Sequence, residues 1–193
     1  MYKRQWEEFA KRLLDITVSL VVLLIGLPLW LLIALLVKVS SKGPVFFVQE
    51  RVGRLGQRFE MVKFRSMFSD DERTPSWTLT NDPRVTNVGQ FIRKTSLDEI
   101  PQLINVFTGD MSLVGPRAMS VRDVDLFDKG IQRKRFSVRP GIVCLREVSG
   151  RSQLTFDRWL ELDLQYIDTW SLALDFQILL RVIPVVLKGS GAS

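Results

Sequence analysis

Residues 16–37 read ITVSLVVLLIGLPLWLLIALLV, an uninterrupted run of 22 residues without a charged side chain. As a straight helix with a rise of about 1.5 Å per residue, this run would be about 33 Å long, which matches a hydrocarbon core of about 30 Å. Pro28 lies almost at its midpoint, directly after Gly26 and Leu27, where a proline removes a backbone donor and kinks or breaks a helix. The run therefore predicts a membrane element made of two half-helices that meet at Pro28.

Basic residues flank this run on both sides, which bears on whether it crosses the membrane. Those before it are Lys3, Arg4, Lys11 and Arg12, and those after it are Lys38, Lys42, Arg51, Arg54 and Arg58. A crossing helix would place one set on the outer face, against the tendency of basic residues to stay in the cytoplasm. A re-entrant hairpin in one leaflet would keep both sets inside. The residues alone leave the hairpin and a kinked crossing helix open, because many crossing helices tolerate proline.

The rest of the chain combines short strand-like and helical stretches, so the predicted fold class is α+β and mostly helical. Residues 45–48 and 59–64 predict a short β-hairpin, and residues 69–83 a polar loop. Helical patterns follow at residues 88–94, 97–107, 121–136, 156–169 and 176–188, with strands or irregular elements near residues 139–148. The stretches 121–135 and 176–188 are too short to cross a bilayer. Docking of these amphipathic helices at the membrane interface and packing on the protein's own core both stay open.

Composition excludes several kinds of chemistry. The 193 residues carry a net charge of +6 and contain no histidine, which excludes histidine-based catalytic triads and histidine-ligated zinc sites. The single Cys144 forms no disulfide within the chain, which favours a reducing, cytoplasmic environment. The glycine fingerprints of nucleotide-binding P-loops and of dinucleotide-binding folds are both missing from the sequence. Any catalysis must therefore use carboxylates, amines, hydroxyls or a bound ion.

The stretch RKTSLDEIPQL, residues 93–103, is the most informative for chemistry. Ser96 followed by Glu99 predicts a capping box, which places Asp98 and Glu99 in the first turn of a helix. Such residues are most often helix caps. The catalytic interpretation has one carboxylate attacking phosphorus and the other holding magnesium. It is favoured by basic side chains beside turns and strand ends that suit phosphate oxygens, namely Lys63, Arg65, Arg93, Lys94, Arg117, Arg139 and Arg151.

Six blocks in a fixed order resemble the bacterial sugar transferases, or monotopic phosphoglycosyl transferases. They are KRLLD (11–15), QERVG (49–53), KFRSM (63–67), TSLDEIPQL (95–103), TGDMSLVGPR (108–117) and RPGI (139–142), and the resemblance covers about residues 11–187. It implies transfer of a sugar phosphate from a nucleoside diphosphate sugar, usually a UDP-sugar, to polyprenol (undecaprenyl) phosphate. UMP would be released, and assembly of a membrane polysaccharide or other glycoconjugate would begin.

The resemblance also implies roles for individual residues. Asp98 would be the nucleophile that forms a covalent phosphoglycosyl-aspartate, and Glu99 would help to bind Mg²⁺. Arg93, Arg117 and Arg151 would neutralise phosphates, with Lys63 and Arg65 as further candidates from the residues themselves. The family's membrane element breaks at a proline and stays in one leaflet, which favours the hairpin at Pro28.

The expected organisation follows from this resemblance. Residues 1–40 form the re-entrant membrane helices, residues 41–188 a membrane-associated cytoplasmic catalytic domain, and residues 189–193 a flexible tail. The protein is expected at the cytoplasmic face of the bacterial inner membrane, with both ends in the cytoplasm. Its expected partners are a UDP-sugar, polyprenol phosphate and membrane lipid, without nucleic acid, and self-association stays open.

The chain departs from the family's pattern at several positions. Leu27 replaces a serine before Pro28, Ala118 replaces a proline after Arg117, and residues 143–147 replace small and amide residues, so neither the sugar nor its contacts are predicted. Two other functions stand beside the transferase. One is a non-catalytic basic membrane adaptor whose arginines bind anionic lipid or nucleic acid, and the other is a magnesium-dependent hydrolase of lipid diphosphates.

Overall fold

The computed structural model describes residues 2–68, 82–126, 130–149 and 155–187. The helices are α1 (Tyr2–Ile25), α2 (Leu27–Ser40), α3 (Asn87–Lys94), α4 (Gln102–Thr108), α5 (Gly130–Arg133), α6 (Phe156–Thr169) and α7 (Leu172–Leu187). The strands are β1 (Phe46–Val52), β2 (Arg58–Phe64), β3 (Ser112–Val114), β4 (Met119–Ser120) and β5 (Gly141–Val143). The predicted tail, most of the predicted loop at residues 69–83, and Arg151 lie outside the described residues.

The apolar run forms two helices that are bent by 66°. The break lies at Gly26, two residues before the predicted position, and Pro28 falls in the first turn of α2. A side chain on residue 26 would clash with Trp30, because a Cβ there would be 1.8 Å from the indole Nε1. No single helix in the described ranges is long and apolar enough to cross a membrane, whereas α1 and α2 together satisfy length and composition as a broken span or a re-entrant loop. The re-entrant topology stays a prediction.

Two small sheets form the β part of the fold. The predicted hairpin is present, with β1 and β2 antiparallel from the pair Phe46 and Phe64 to the pair Val52 and Arg58. Strand β4 extends this sheet on the other side of β1, but only opposite Arg51 and Val52. Strands β3 and β5 form a separate parallel pair that the sequence did not predict. Gly141 permits this pairing, because a Cβ there would lie 2.0 Å from the backbone nitrogen of Gly115.

Three predicted helices are wrong in extent, while α3 and α6 confirm their predictions. The helix predicted at residues 176–188 begins four residues earlier, since α7 runs from Leu172 to Leu187. The predicted helix 97–107 divides into a 3₁₀ turn, Leu97–Glu99, and α4, with Pro101 at the N-cap of α4. The predicted helix 121–136 is a 3₁₀ turn (Val121–Leu126), the short α5 and another 3₁₀ turn (Lys134–Ser137), with residues 127–129 outside the described ranges. Gly130 and the aspartates of this stretch favour helices weakly, which explains the interruptions.

The first half of α1 is fixed to the rest of the fold by charged side chains. Arg12 donates hydrogen bonds to the backbone oxygens of Val106 (2.6 Å) and Phe107 (2.9 Å), which end α4. Asp15 accepts a hydrogen bond from the backbone nitrogen of Leu113 at 3.0 Å, and Lys11 donates one to the Val114 oxygen at 3.0 Å. The bend at the other end of α1 is exposed and apolar. Thus α1 joins an apolar tip to the elements that carry the candidate site.

Candidate active site

The acidic pair lies in a tight turn between α3 and α4. Ser96 has a left-handed backbone conformation with φ of 57°, and its side chain makes no capping hydrogen bond. The 3₁₀ turn Leu97–Glu99 follows, closed by the backbone nitrogen of Glu99, which donates to the Ser96 oxygen at 3.2 Å. The predicted capping box is therefore wrong. The Glu99 carboxylate is free to point away from the helix start.

Glu99 is bound by two cations from distant parts of the chain. Its Oε1 accepts hydrogen bonds from Lys63 Nζ and from Arg117 Nη2, each at 2.9 Å. Lys63 comes from β2, and Arg117 follows the Gly115-Pro116 turn after β3. Burial would raise the pKa of Glu99, but the charges and hydrogen bonds of Arg117 and Lys63 outweigh it and hold that pKa well below its usual range. Glu99 is therefore ionised at any physiological pH.

Arg117 is held on several sides. Beside its bond to Glu99, its Nη1 lies 3.2 Å from Glu147 Oε1, and both carboxylates raise its pKa above the usual range. Its backbone oxygen accepts a hydrogen bond from Arg135 Nη2 at 2.9 Å. Arg135 also forms a 2.6 Å ion pair with Asp163, in which each side chain is only 2% exposed. The guanidinium of Arg117 is thus held by two carboxylates, and its backbone is held by the buried Arg135.

Sequence reasoning missed the partners of Arg117. Glu147 appeared only as a departure from the family's pattern. Arg135 and Asp163 carried no local signal, because they lie in separate elements that meet only in the folded chain.

Asp98 has a very different environment from its neighbour. It is partly buried, and within the described part of the chain its carboxylate accepts no hydrogen bond. Burial and the negative charge of Glu99 raise the pKa of Asp98 to about 6, against the smaller opposing effects of Lys63, Arg93 and Arg117. An ionised carboxylate that no partner holds, with a raised pKa, is a better nucleophile or base than an ordinary surface aspartate.

The structure brings together three of the predicted phosphate-binding residues. Lys63 and Arg117 contact Glu99, and Arg93 lies close enough to lower the pKa of Asp98. Arg65 does not join them, since its Nη2 donates to the backbone and side-chain oxygens of Ser41 at 2.7 and 2.9 Å. A buried cation there complements the C-terminal end of α2. Arg151 lies outside the described residues.

The acidic pair could supply part of a magnesium site. Among the described residues, no group of three His, Cys, Asp or Glu side chains is arranged to hold a metal ion. Mg²⁺ commonly uses one or two carboxylates and takes its remaining ligands from water and substrate phosphates. The second oxygen of Glu99 fits that partial ligand set, because Lys63 and Arg117 both bind the other oxygen. The residues present therefore fit a magnesium ion that a phosphate ligand completes.

Comparison with known proteins gives consistent matches over nearly the whole chain. The sequence model of the bacterial sugar transferases matches residues 6–189. The galactosyl transferase CpsE of Streptococcus agalactiae is 44% identical, over 95% of this chain and 43% of its own. The exopolysaccharide production protein ExoY of Rhizobium meliloti is 39% identical, over 95% and 88% respectively. The undecaprenyl-phosphate glucose phosphotransferase of Komagataeibacter xylinus is 41% identical, over 93% and 36%. The chain thus spans less than half of two of these relatives and most of the third.

Proposed function

Because the chain belongs to the bacterial sugar transferase family, we propose that it transfers a sugar phosphate from a UDP-sugar to undecaprenyl phosphate and releases UMP. The name of the Komagataeibacter relative supports the lipid acceptor. That name and the name of CpsE support glucose or galactose as the sugar. The reaction would begin the assembly of a polysaccharide on a lipid carrier.

The observation that carries this proposal is the contrast between two neighbouring carboxylates. Glu99 is bound by Lys63 and Arg117, whereas Asp98 has no hydrogen-bond partner among the described residues. In the proposed first step, an Asp98 oxygen attacks the β-phosphorus of the UDP-sugar. The bond from that phosphorus to the bridging oxygen breaks, and UMP leaves with the electron pair. At neutral pH about nine-tenths of a carboxylate with a pKa of about 6 is ionised and ready to attack.

The second step releases the enzyme. An oxygen of undecaprenyl phosphate attacks the phosphorus of the phosphoglycosyl-aspartate, and the bond to Asp98 breaks to regenerate the carboxylate. Neither step takes a proton from a neutral nucleophile, which suits a chain without histidine. Lys63 and Arg117 place positive charge beside the reacting phosphates, and Arg93 adds to it. A bound Mg²⁺ would supply further neutralisation of the diphosphate.

The membrane part of the proposal is that α1 and α2 dip into one leaflet and return, with both ends in the cytoplasm. Support comes from the exposed apolar bend, where Leu24 and Ile25 are 64% and 77% exposed. Cysteines introduced at positions 4 and 42 would both be labelled from the cytoplasmic side only. The background is low, since Cys144 is buried. Labelling of the two positions from opposite sides would contradict the re-entrant arrangement.

The activity is tested with purified protein, UDP-glucose, UDP-galactose and undecaprenyl phosphate. We expect UMP release that requires Mg²⁺ for at least one of the two sugars, and a phosphosugar on the peptide containing Asp98 when lipid is omitted. Asp98→Asn should abolish both signals. Asp110→Asn makes the same chemical change at an exposed site beyond α4 and should keep them.

The alternatives give different results in the same assay. Phosphate release from a lipid diphosphate without UDP-sugar would instead indicate the hydrolase. Lipid binding without turnover would indicate the adaptor, and full activity of Asp98→Asn would remove Asp98 from the nucleophile's role.

A further inference from the structure

Arg51 is a largely buried cation without an ion pair among the described residues. Its Nη1 donates to the Ala118 oxygen at 3.2 Å and its Nη2 to Gln49 Oε1 at 2.5 Å, and both acceptors are neutral. Its Nε is buried and has no hydrogen-bond partner in the described ranges. Asp123 and Glu99 act on it only through space. A buried guanidinium in such surroundings is unfavourable unless an anion compensates it.

Arg51 keeps its charge at neutral pH in spite of this environment. Burial and the neighbouring charge of Arg117 lower the pKa of Arg51 to about 10. Arg117 is itself compensated by Glu99 and Glu147. The uncompensated positive charge in this part of the site therefore belongs to Arg51.

Gln102 presents a second unpartnered donor to the same place. Its side chain is only 3% exposed, and its Nε2 is buried without a hydrogen-bond partner in the described part of the chain. A small cavity opens between the two donors, lined by Arg51, Met61, Gln102, Met111, Arg117 and Ala118. No carboxylate lines it. Hydrogen-bond donors and a net positive charge suit a small acceptor-only group, such as one oxygen of an oxyanion.

The cavity adjoins the acidic pair through Arg117. Arg117 lines the cavity and at the same time binds Glu99, whose neighbour is Asp98. Gln102 begins α4, three residues after Glu99. A ligand oxygen in the cavity would therefore be bound next to the residues proposed to react.

We propose that Arg51 and Gln102, together with Arg117, form an oxyanion pocket that binds one phosphate oxygen of the nucleotide donor. The oxyanion chemistry rests on the cavity alone, whereas the choice of a nucleotide phosphate rests on the proposed function. Arg51 thereby becomes a substrate-binding residue, although the sequence marks it only as a basic residue that follows the membrane run.

Binding of inorganic phosphate, UMP and uridine to the full chain in detergent micelles, measured by titration calorimetry, tests this pocket. Arg51→Met keeps the aliphatic stem and removes the charge, and it should weaken phosphate and UMP about tenfold or more while leaving uridine unchanged. Arg58→Met is the matched control, because Arg58 lies on the partner strand, is 62% exposed and pairs with Glu50. It should bind all three ligands like the unmodified protein.

Gln102→Glu separates ligand binding from folding. A carboxylate at position 102 would compensate Arg51 and occupy the donors, so the melting temperature should rise while phosphate and UMP binding fall. If Arg51 had a purely structural role, the melting temperature of Gln102→Glu would rise while its phosphate and UMP binding stayed unchanged. Equal phosphate affinity in Arg51→Met and the unmodified protein, or no phosphate binding by the unmodified protein, would overturn the pocket.

The same variants distinguish failure of the pocket from failure of the proposed function. Phosphate binding that depends on Arg51, in a protein that releases no UMP from any UDP-sugar, would leave the pocket standing and refute the transferase. UMP release by the unmodified protein, together with unchanged phosphate and UMP affinity in Arg51→Met, would refute the pocket and leave the transferase standing. A fall in uridine affinity matching that of UMP would overturn the phosphate assignment, since the pocket would then bind the base or ribose.

Discussion

The pH dependence of the first chemical step follows from the raised pKa of Asp98. A carboxylate with a pKa of about 6 is about one-tenth ionised at pH 5 and almost fully ionised at pH 7.5. If Asp98 must be ionised to attack phosphorus, UMP formation should fall about tenfold between these two pH values. An aspartate at its ordinary pKa of 3.8 would lose almost nothing over the same interval. The ratio of the two rates therefore reports the environment of Asp98 directly.

The assay must isolate this step from the lipid substrate. A phosphate monoester such as undecaprenyl phosphate has its own second pKa near 6 and would add a similar dependence. Single-turnover release of UMP in the absence of lipid, with enzyme in excess over UDP-sugar, avoids this contribution. Circular dichroism at each pH confirms that the chain remains folded.

Glu99→Gln supplies the matched perturbation. Burial, the largest cause of the raised pKa, remains, but the like charge of Glu99 is removed and Lys63 and Arg117 remain beside Asp98. The fall in rate should therefore move to lower pH, whatever the absolute rate of the variant. A rate of the unmodified protein that stays flat down to pH 5, or an unchanged profile in Glu99→Gln, would refute this account of the acidic pair.

Three further predictions concern stability. Asp98→Asn should raise the melting temperature at pH 7.5, with the difference narrowing toward pH 5. Because folding raises the pKa of Asp98 from 3.8 to about 6, its ionisation destabilises the folded chain as the pH rises over that interval. If Asp98 were instead a helix cap, its substitution would lower the free energy of unfolding by about 0.5–2 kcal/mol. Asp163→Asn removes the carboxylate that faces the buried Arg135 and should lower the free energy of unfolding, measured by chemical denaturation, by about 3–5 kcal/mol. Glu161→Gln is the control, because it breaks the exposed ion pair with Arg158, and it should lower the free energy of unfolding by less than about 1 kcal/mol. Gly26→Ala should lower the melting temperature in micelles, because the new Cβ would meet Trp30 Nε1 at 1.8 Å and the Val22 backbone oxygen at 2.8 Å. Trp30→Ala should relieve the first clash and therefore restore only part of the loss.

Local patterns predicted the elements that depend on local interactions. Helix α6 has the predicted bounds, because its periodic apolar residues and its Thr155 cap lie in one stretch. The broken apolar helix was also predicted, but the bend lies at Gly26, where a side chain would meet the indole of Trp30 one turn later. The capping box failed for a similar reason. Glu99 binds Lys63, 36 residues earlier, and Arg117, 18 residues later, and those charge-assisted bonds replace a cap that only local sequence suggests.

The basic residues show most clearly what sequence alone leaves undecided. Arg51, Lys63 and Arg65 all lie on or beside the β-hairpin, and the sequence marks only Lys63 and Arg65 as candidates for phosphate binding. Burial and partners assign three different roles: Lys63 binds Glu99, Arg65 binds the end of α2, and Arg51 lines a cavity. Residue type predicted that a phosphate site needs guanidinium and ammonium groups. Only the tertiary packing decides which of them point at it.

The attachment of α1 links the membrane part of the proposal to its chemistry. Arg12 bonds to the last turn of α4, whose first residue follows Glu99 by three positions, and Asp15 bonds to β3, which leads to Arg117. The segments leading to α4 and from β3 thus carry Glu99 and Arg117, whose carboxylate and guanidinium bind each other. A change in the depth or tilt of α1 would therefore move both segments together and leave the bond between Glu99 and Arg117 intact. In the proposed topology, the height of the site above the lipid is set by where α1 rests in the leaflet, and the geometry of the site is set by the fold. Shortening the apolar tip of α1 should thus impair transfer to undecaprenyl phosphate while sparing UMP formation without lipid, and equal impairment of both steps would show that α1 does more than set the height.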